Sequence, residues 1–160
     1  MADNLTHFDE AGRPRMVDVS SKASTARRAV AKGAVKFSKE AFAVIRDGGL
    51  KKGDIGPVAE LAGVMGAKKT ADLIPLCHPL PISGLTVKVE ADEAAHAMCV
   101  IATVKTNGQT GVEMEALTAV MTACLTIYDM AKSIDKSITI TDVMLIEKSG
   151  GASGDYIRDQ

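Results

Sequence analysis

One stretch of the chain alternates apolar and polar residues with the regularity of a strand that buries one face. Between residues 85 and 92, Leu, Val, Val and Ala alternate with Thr, Lys, Glu and Asp. This period of two is typical of a half-buried β-strand. A second run rich in β-branched residues, 98–105, follows after a short turn of Asp, Glu and Ala. The two runs therefore predict an antiparallel hairpin.

Three helices are predicted around this hairpin. Residues 112–133 carry the longest helical pattern, with apolar residues at Leu117, Val120, Met121, Cys124, Leu125, Tyr128 and Ala131. Ser38 is expected to cap a shorter helix that ends at 47–49, and Asp54 to cap another. This second short helix has apolar residues at helical spacing, namely Val58, Leu61, Ala62 and Met65.

Two further segments complete the pattern. Residues 25–37 are ambiguous, because their alanines favour a helix whereas Val30, Val35 and Gly33 allow a strand, which we prefer. Residues 138–147 predict a last strand whose alternation is disturbed near Asp142. The order is a βαββαβ plan with one extra helix. It predicts a ferredoxin-like α+β fold, an antiparallel sheet with helices packed on one face.

The chain divides into one domain and two polar ends. Its 160 residues fit a single domain. Residues 1–15 are polar and contain Gly12 and Pro14, so we expect a flexible N-terminal arm. Residues 149–160 begin with a Gly/Ser-rich run, which predicts a flexible C-terminal tail. Residues 16–148 then form the folded domain.

Composition argues against several classes of protein. The formal net charge is −1 and aromatic residues make up 3%, which disfavours nucleic-acid binding by bulk charge or base stacking. The 3 cysteines form no CxxC pair, so neither a disulfide framework nor a zinc site is predicted. The N-terminus resembles no signal peptide, and the longest uncharged helical stretch, 116–128, is too short to span a bilayer. We expect a soluble, cytoplasmic protein.

The long helix carries a polar stripe that has two interpretations. Its members are Glu115, Thr118, Thr122, Thr126 and Asp129. Lys132 lies three residues after Asp129, so the two side chains can meet. The plainer interpretation is a solvated face with a surface ion pair worth about 0.3–0.5 kcal/mol. The alternative is a general acid/base pair held on a rigid helix.

Other candidate residues lie at the ends of elements. Three prolines within residues 72–81 predict that this stretch is an extended, rigid connection that holds Cys77 and His78. Carboxylates at 113 and 115 suit a helix N-terminus, and they could also bind the amino and imino edge of a guanine-type ring. Lysines near glycines could converge on a polyphosphate or could simply be solvated, namely Lys51, Lys52, Lys68, Lys69 and Lys148.

Several sequence blocks together resemble the cyclic pyranopterin monophosphate synthase family, an accessory enzyme family of molybdenum cofactor biosynthesis. The resemblance covers about residues 16–155. It rests on the blocks Met-Val-Asp-Val-Ser from 16, Lys-Gly-Asp from 52, Ala-Lys-Lys-Thr from 67, Asp-Leu-Ile-Pro-Leu-Cys-His-Pro from 72, Thr-Gly-Val-Glu-Met-Glu-Ala-Leu-Thr from 110, Leu-Thr-Ile-Tyr-Asp-Met-Ala-Lys from 125, and Lys-Ser-Gly-Gly from 148.

The resemblance implies a fold, an activity and an assembly. It implies a ferredoxin-like catalytic domain in a homohexamer, a trimer of dimers with each active site at a dimer interface. The implied enzyme is a lyase of the phosphorus–oxygen type. It converts 3′,8-cyclo-7,8-dihydroguanosine 5′-triphosphate into cyclic pyranopterin monophosphate and releases pyrophosphate. The sequence calls for no cofactor and no protein metal site, and leaves open a divalent cation bound with the triphosphate.

The resemblance also implies roles for individual residues. Asp129, Lys132 and Lys52 would be catalytic. Substrate would be bound by Leu76, Cys77, His78, Glu113, Met114, Glu115, Lys148 and Arg27. Two positions depart from the pattern, because lysine is expected more often where this chain has Gln109 and Ala152.

Two other functions remain open at this stage. A ferredoxin-like regulatory module that binds a small molecule would explain the fold and the glycines but gives no role to Asp129 beside Lys132. An RNA-binding α/β domain would need aromatic residues on its strands, and the few aromatic residues are not arranged to supply them.

Overall fold

The computed structural model describes residues 7–9, 11–48 and 54–159. Its strands are β1 (Thr25–Lys36), β2 (Ile82–Asp92), β3 (Ala97–Gly108), β4 (Thr139–Ser149) and β5 (Tyr156–Ile157). Its helices are α1 (Lys39–Arg46), α2 (Ile55–Ala67), α3 (Thr70–Leu73) and α4 (Glu113–Ala131). The ambiguous segment 25–37 is a strand, as preferred.

The strands form one antiparallel sheet in the order β2-β3-β1-β4-β5. The predicted hairpin is confirmed, since β2 pairs antiparallel with β3 from Ile82 opposite Thr106 to Asp92 opposite Ala97. The helices α2 and α4 pack against each other and against the sheet. The ferredoxin-like α+β fold is thus confirmed, with α3 and the two-residue strand β5 as additions that the sequence pattern did not indicate.

An irregularity in β4 explains the disturbed alternation near Asp142. The register between β1 and β4 shifts between Lys32 and Ala34, and Asp142 has a φ of 56°. Gly33 lies opposite this bulge, where a β-carbon would come within 2.6 Å of Val120 Cγ1 on α4. The bulge and the glycine together let the helix approach the sheet.

The helix layer packs through small residues. A β-carbon at Gly63 would come within 3.0 Å of the Ala119 carbonyl oxygen, and one at Gly66 would overlap Thr122. Because α2 and α4 approach so closely here, alanines and glycines fill the interface. Some larger apolar residues of both helices point outward instead, and Leu61, Met65 and Leu125 are 62%, 61% and 55% exposed.

Local capping partly follows the sequence. The Ser38 hydroxyl accepts a hydrogen bond from the Ala41 N–H, and the Asp54 carboxylate accepts one from the Gly56 N–H.

The rigid extended connection expected over 72–81 is observed only in its second part. Residues 70–73 are helical, and the Cys77 N–H closes a turn onto the Ile74 carbonyl at 3.1 Å. Among the described residues, no helix is long and apolar enough to cross a membrane.

Candidate active site

Two adjoining cavities open at the end of the sheet where α4 begins. The first has a volume of about 690 Å³, and its wall includes Arg27, Lys148 and Gly151. The second has a volume of about 380 Å³. The cavities share the wall residues Lys22, Thr110, Gly111 and Glu113. A ligand with a charged part and a ring could therefore occupy both.

Cationic side chains are held in the wall of the first cavity by specific contacts. The Arg27 guanidinium donates from Nε to the Gly108 carbonyl at 2.8 Å and from Nη2 to the Gln109 carbonyl at 3.1 Å. The Lys148 ammonium donates to the Ser153 hydroxyl at 2.6 Å and lies 3.6 Å from a Glu113 carboxylate oxygen. These contacts orient two positive charges toward one space, which suits a phosphate chain.

Gly151 is needed for the position of Arg27. It has a φ of 87°, and a β-carbon there would overlap Nη1 of Arg27. The glycine thus permits a backbone conformation that L side chains rarely adopt, and it leaves room for the guanidinium. Gly154, three residues later, has a φ of 71° with nothing within 4 Å of a β-carbon.

The second cavity gathers six of the predicted substrate-binding residues from two separate elements. The turn before β2 supplies Leu76, Cys77 and His78, while the first turn of α4 supplies the rest. The members from α4 are Glu113, Met114 and Glu115. Residues almost 40 apart in sequence thus face one space, and their role in binding substrate stays a prediction.

Glu115 is the buried carboxyl of this region. The residue is only 4% exposed, and it separates the second cavity from a third of about 280 Å³. Burial, assisted by the neighbouring Glu113 carboxylate, raises the pKa of Glu115 above its ordinary value. A carboxyl in this state can donate a hydrogen bond more readily than an exposed one.

The Cys77 thiol faces the same cavity. Burial is the main reason that its pKa is raised, and the Glu115 carboxylate adds to the effect. A raised pKa keeps the sulfur protonated at neutral pH, which disfavours a thiolate nucleophile.

The predicted catalytic pair lies at the other end of α4. Lys132 Nζ donates to Asp129 Oδ1 at 2.6 Å, and their side chains are 54% and 63% exposed. The hydrogen bond to Asp129 raises the pKa of Lys132. At 1.5 Å per residue, Asp129 is displaced from Glu115 by about 21 Å along the helix. Within one chain, the pair and the cavities are therefore apart.

Three of the lysines that the sequence placed near glycines are described, and they lie in different surroundings. Lys148 lines the first cavity, but Lys68 lines the third, and Lys69 is paired with Asp72 at 3.1 Å. Lys51 and the predicted catalytic Lys52 lie outside the described residues. Thr110 does not cap α4, because the N-cap residue is Val112 without a side-chain hydrogen bond.

Comparison with known proteins identifies the family of the chain. The model of the MoaC family matches residues 16–151. The chain belongs to the MoaC family. The matched region contains the Asp129–Lys132 pair and all the lining residues of the two cavities except His7, Ala152 and Ser153.

Named relatives are similar to the chain over nearly its whole length. A protein of Cereibacter sphaeroides is 61% identical over 152 residues, which is 95% of this chain and 96% of that protein. A Parvibaculum lavamentivorans protein is 57% identical over 155 residues, 97% of each chain. A Heliobacterium modesticaldum protein is 54% identical over 158 residues, 99% of each. Each of these relatives is named cyclic pyranopterin monophosphate synthase.

Sequence reasoning missed several residues of this MoaC-family site. Lys22 lines both cavities, and His7 and Val19 line the second. Gln109 was noticed only as a departure from the family pattern. Lys22 lies just after the Met-Val-Asp-Val-Ser block, so its position beside a recognised motif was the available signal. Lys22 belongs to no periodic pattern, so the sequence gave no other sign that it lines a cavity.

Proposed function

We propose that the chain is a cyclic pyranopterin monophosphate synthase of molybdenum cofactor biosynthesis. It converts 3′,8-cyclo-7,8-dihydroguanosine 5′-triphosphate into cyclic pyranopterin monophosphate and releases pyrophosphate, as a phosphorus–oxygen lyase. The observation that carries the proposal is the pair of adjoining cavities, one cationic and one lined by His78 and two carboxyls, within a chain of the MoaC family.

The first cavity suits the triphosphate. Arg27 and Lys148 are fixed by hydrogen bonds before any ligand arrives, so little side-chain entropy is lost when they bind phosphate oxygens. Pyrophosphate release concentrates negative charge on the leaving oxygens. Preoriented cations stabilise that charge more than the charge of the bound substrate.

The second cavity suits the guanine-derived ring. Such a ring presents N–H donors and acceptors on one edge, which carboxyl groups and an imidazole can match. Glu113 remains beside Lys148, whereas Glu115 is buried. Glu113 can therefore accept hydrogen bonds from the ring, whereas the buried Glu115 can more readily donate one.

The active site would be completed by a second copy of the chain. Asp129 and Lys132 lie too far along α4 to reach their own cavities, so a partner must supply them. The outward faces of α2 and α4 expose Leu61, Met65 and Leu125, and such apolar surfaces favour an interface. We place these contacts in a homohexamer built as a trimer of dimers.

Lys132 enters the reaction as a cation. Since its hydrogen bond to Asp129 raises its pKa, it is an ammonium at neutral pH. It can donate a proton or stabilise an oxyanion, and Asp129 holds it in place. Lys52 would supply a further catalytic amine.

The proposal extends to cofactor and compartment. A divalent cation would arrive with the triphosphate, whose oxygens supply its ligands. No group of three or more His, Cys, Asp and Glu side chains suited to a metal is found in the described part of the chain. Three free thiols, Cys77, Cys99 and Cys124, support a reducing compartment, which we propose to be the cytoplasm.

Turnover of the cyclised nucleotide tests the function. The purified chain is incubated with 3′,8-cyclo-7,8-dihydroguanosine 5′-triphosphate, while pyrophosphate and the pterin product are quantified. Equal amounts of both are expected. Binding without release of pyrophosphate would contradict the proposal and favour a non-catalytic binding module.

Mixed assemblies test the shared site. A His78→Ala chain and an Asp129→Ala chain are unfolded and refolded together, with mass spectrometry to show that the chains have mixed. Random pairing should restore about a quarter of the wild-type rate, because half of the dimers are mixed and each then holds one intact site. No recovery in mixed assemblies would place the whole site within one chain.

A further inference from the structure

Segment 18–22 lies at the boundary of the two cavities. Its last residue, Lys22, lines both of them. The segment is shaped by its own short bonds, since the Asp18 carboxylate accepts from the Ser20 N–H at 2.9 Å and the Ser20 hydroxyl at 2.6 Å. The Lys22 N–H donates to the Val19 carbonyl at 2.9 Å. These bonds define a local turn and do not attach it to the domain.

The side chain of Gln109 makes that attachment. Its Nε2 atom donates to the Lys22 carbonyl at 3.1 Å and lies 3.4 Å from the Ser20 carbonyl oxygen as a second acceptor. A planar amide with two N–H groups can serve two carbonyls at once. Gln109 thus connects the segment to the loop between β3 and α4, 87 residues away from Lys22.

Gln109 is itself fixed by a residue of the first cavity. Arg27 donates to the Gln109 carbonyl at 3.1 Å and to the adjacent Gly108 carbonyl at 2.8 Å. A continuous set of hydrogen bonds therefore runs from Arg27 through Gln109 to the backbone of Lys22. No ion pair joins the Lys22 ammonium to another residue of the ranges 7–9, 11–48 and 54–159.

We propose that Gln109 is a positioning residue that holds segment 18–22 so that Lys22 binds the phosphate chain where the two cavities meet. The inference rests on the proposed function for the identity of the substrate, but its phosphate chemistry can be tested without turnover. Lys22 is exposed and lacks an ion-pair partner in the described ranges, so an arriving phosphate meets an available cation. Gln109 supplies only orientation and contributes no charge of its own.

This geometry shows what a glutamine at position 109 does differently from the lysine that the family pattern leads one to expect. A lysine ammonium could also donate to the Ser20 and Lys22 carbonyls, but it would bring a second charge beside Lys22. Gln109 adds no charge to those that Lys22, Arg27 and Lys148 bring to the first cavity. Gln109→Lys should therefore keep the segment in place and tighten phosphate binding.

A double-mutant cycle tests the proposal. The dissociation constant of inorganic tripolyphosphate is measured by calorimetry for the full chain and for Lys22→Met, Gln109→Met and the double variant. Lys22→Met should weaken binding roughly tenfold, as expected for one charge-assisted contact. Gln109→Met should weaken it roughly threefold to tenfold, and the double variant should match Lys22→Met alone. Lys88→Met, an exposed lysine on β2 outside these cavities, is the matched control and should bind as wild type.

Each other outcome has a definite meaning. Additive losses in the double variant would show that Gln109 does not act through Lys22, and unchanged binding by Lys22→Met or by Gln109→Lys would overturn the inference. A wild-type chain that binds no tripolyphosphate would also overturn it. Weakened binding in a chain that does not convert the cyclised nucleotide would support the inference while rejecting the proposed function. Normal turnover with an unchanged KM in Lys22→Met would support the proposed function and reject the inference about Lys22.

Discussion

The two ends of α4 differ in nearly every physical property. At the N-terminal end, Glu115 is 4% exposed and lies between cavities. At the C-terminal end, Asp129 is 63% exposed and pairs with Lys132 on the surface. A rigid helix thus separates the cavities from an exposed ion pair. The comparison teaches that the two groups of candidate residues do not meet within one chain, which is why we propose that a second chain brings them together.

The same contrast appears in what surrounds each end. Near the N-terminal end, Arg27 and Lys148 are already held by hydrogen bonds. Toward the C-terminal end, the neighbouring outward-facing residue Leu125 is 55% exposed. Arg27 and Lys148 are therefore positioned by the fold of one chain, whereas the proposed catalytic pair lies on an exposed surface.

The largest expected effect comes from removing the carboxylate at the C-terminal end. Asp129→Asn should lower kcat by roughly 10²–10⁴-fold, the range of general acid–base catalysis. Stability should change by less than about 0.5 kcal/mol, because the lost ion pair is exposed. Steady-state kinetics and thermal unfolding measure the two effects.

A matched control separates catalysis from the loss of a surface ion pair. Asp142 pairs with Lys36 at 3.5 Å and its side chain is 52% exposed, so Asp142→Asn removes a comparable pair away from the cavities. It should turn over at the wild-type rate. Wild-type turnover by Asp129→Asn would show that the pair is only a solvated surface feature.

The next largest effect concerns the binding end. Gly151→Ala should raise KM roughly tenfold with little change in kcat, because the new β-carbon displaces the Arg27 guanidinium. It should also destabilise the fold by about 1–2 kcal/mol through its left-handed backbone. Gly154→Ala shares the positive φ without the contact, so it should lose stability and keep its KM. Equal KM values in the two variants would contradict the role given to Arg27.

The framework of the fold followed from periodicity, but the identity of the buried helix face did not. The strand alternation over 85–92 and the cap at Ser38 were local signals, and both predictions are confirmed. On α4 the large apolar residues suggested a buried stripe that included Met121 and Leu125, yet these are 39% and 55% exposed. The close approach at Gly63 and Gly66 selects small residues for the interior, and spacing alone does not reveal that preference.

In the candidate site, too, some residues could be predicted from the sequence and others could not. Residues of the Leu-Cys-His-Pro and Thr-Gly-Val-Glu-Met-Glu blocks line one cavity, and the substrate contacts that the resemblance implies for them stay a prediction. Lys22 and Gln109 were not predicted, because their roles depend on hydrogen bonds between segments 87 residues apart. No local pattern records such a contact. The distance of Asp129 from the cavities along α4 is likewise not a local signal.

A smaller effect is expected for the thiol at the binding end. Cys77→Ser should retain kcat/KM within about threefold, because burial raises the thiol pKa and disfavours a nucleophilic thiolate. The rate should also survive treatment of the wild type with a mild thiol-blocking reagent too bulky to enter the cavity. Complete loss of activity in a folded Cys77→Ser protein would require a mechanism that uses the sulfur.

The smallest effect compares two carboxyls at the same end of α4. Burial raises the pKa of Glu115 above 4.5 in the folded chain, so the folded state binds more protons than the unfolded state between 4.5 and that raised pKa. Stability from this group therefore falls as the pH rises through this window, and the buried charge opposes folding above it. Glu115→Gln should then raise Tm at pH 8, by about 2–4 °C for each kcal/mol of the buried charge's penalty that is removed. The gain should vanish below pH 4.5.

Glu113→Gln is the control, because Glu113 lies 3.6 Å from the Lys148 ammonium, and its loss should not stabilise the chain at pH 8. A Tm difference for Glu115→Gln that stays constant from pH 8 to pH 4 would show that Glu115 carries no energetic penalty for its charge.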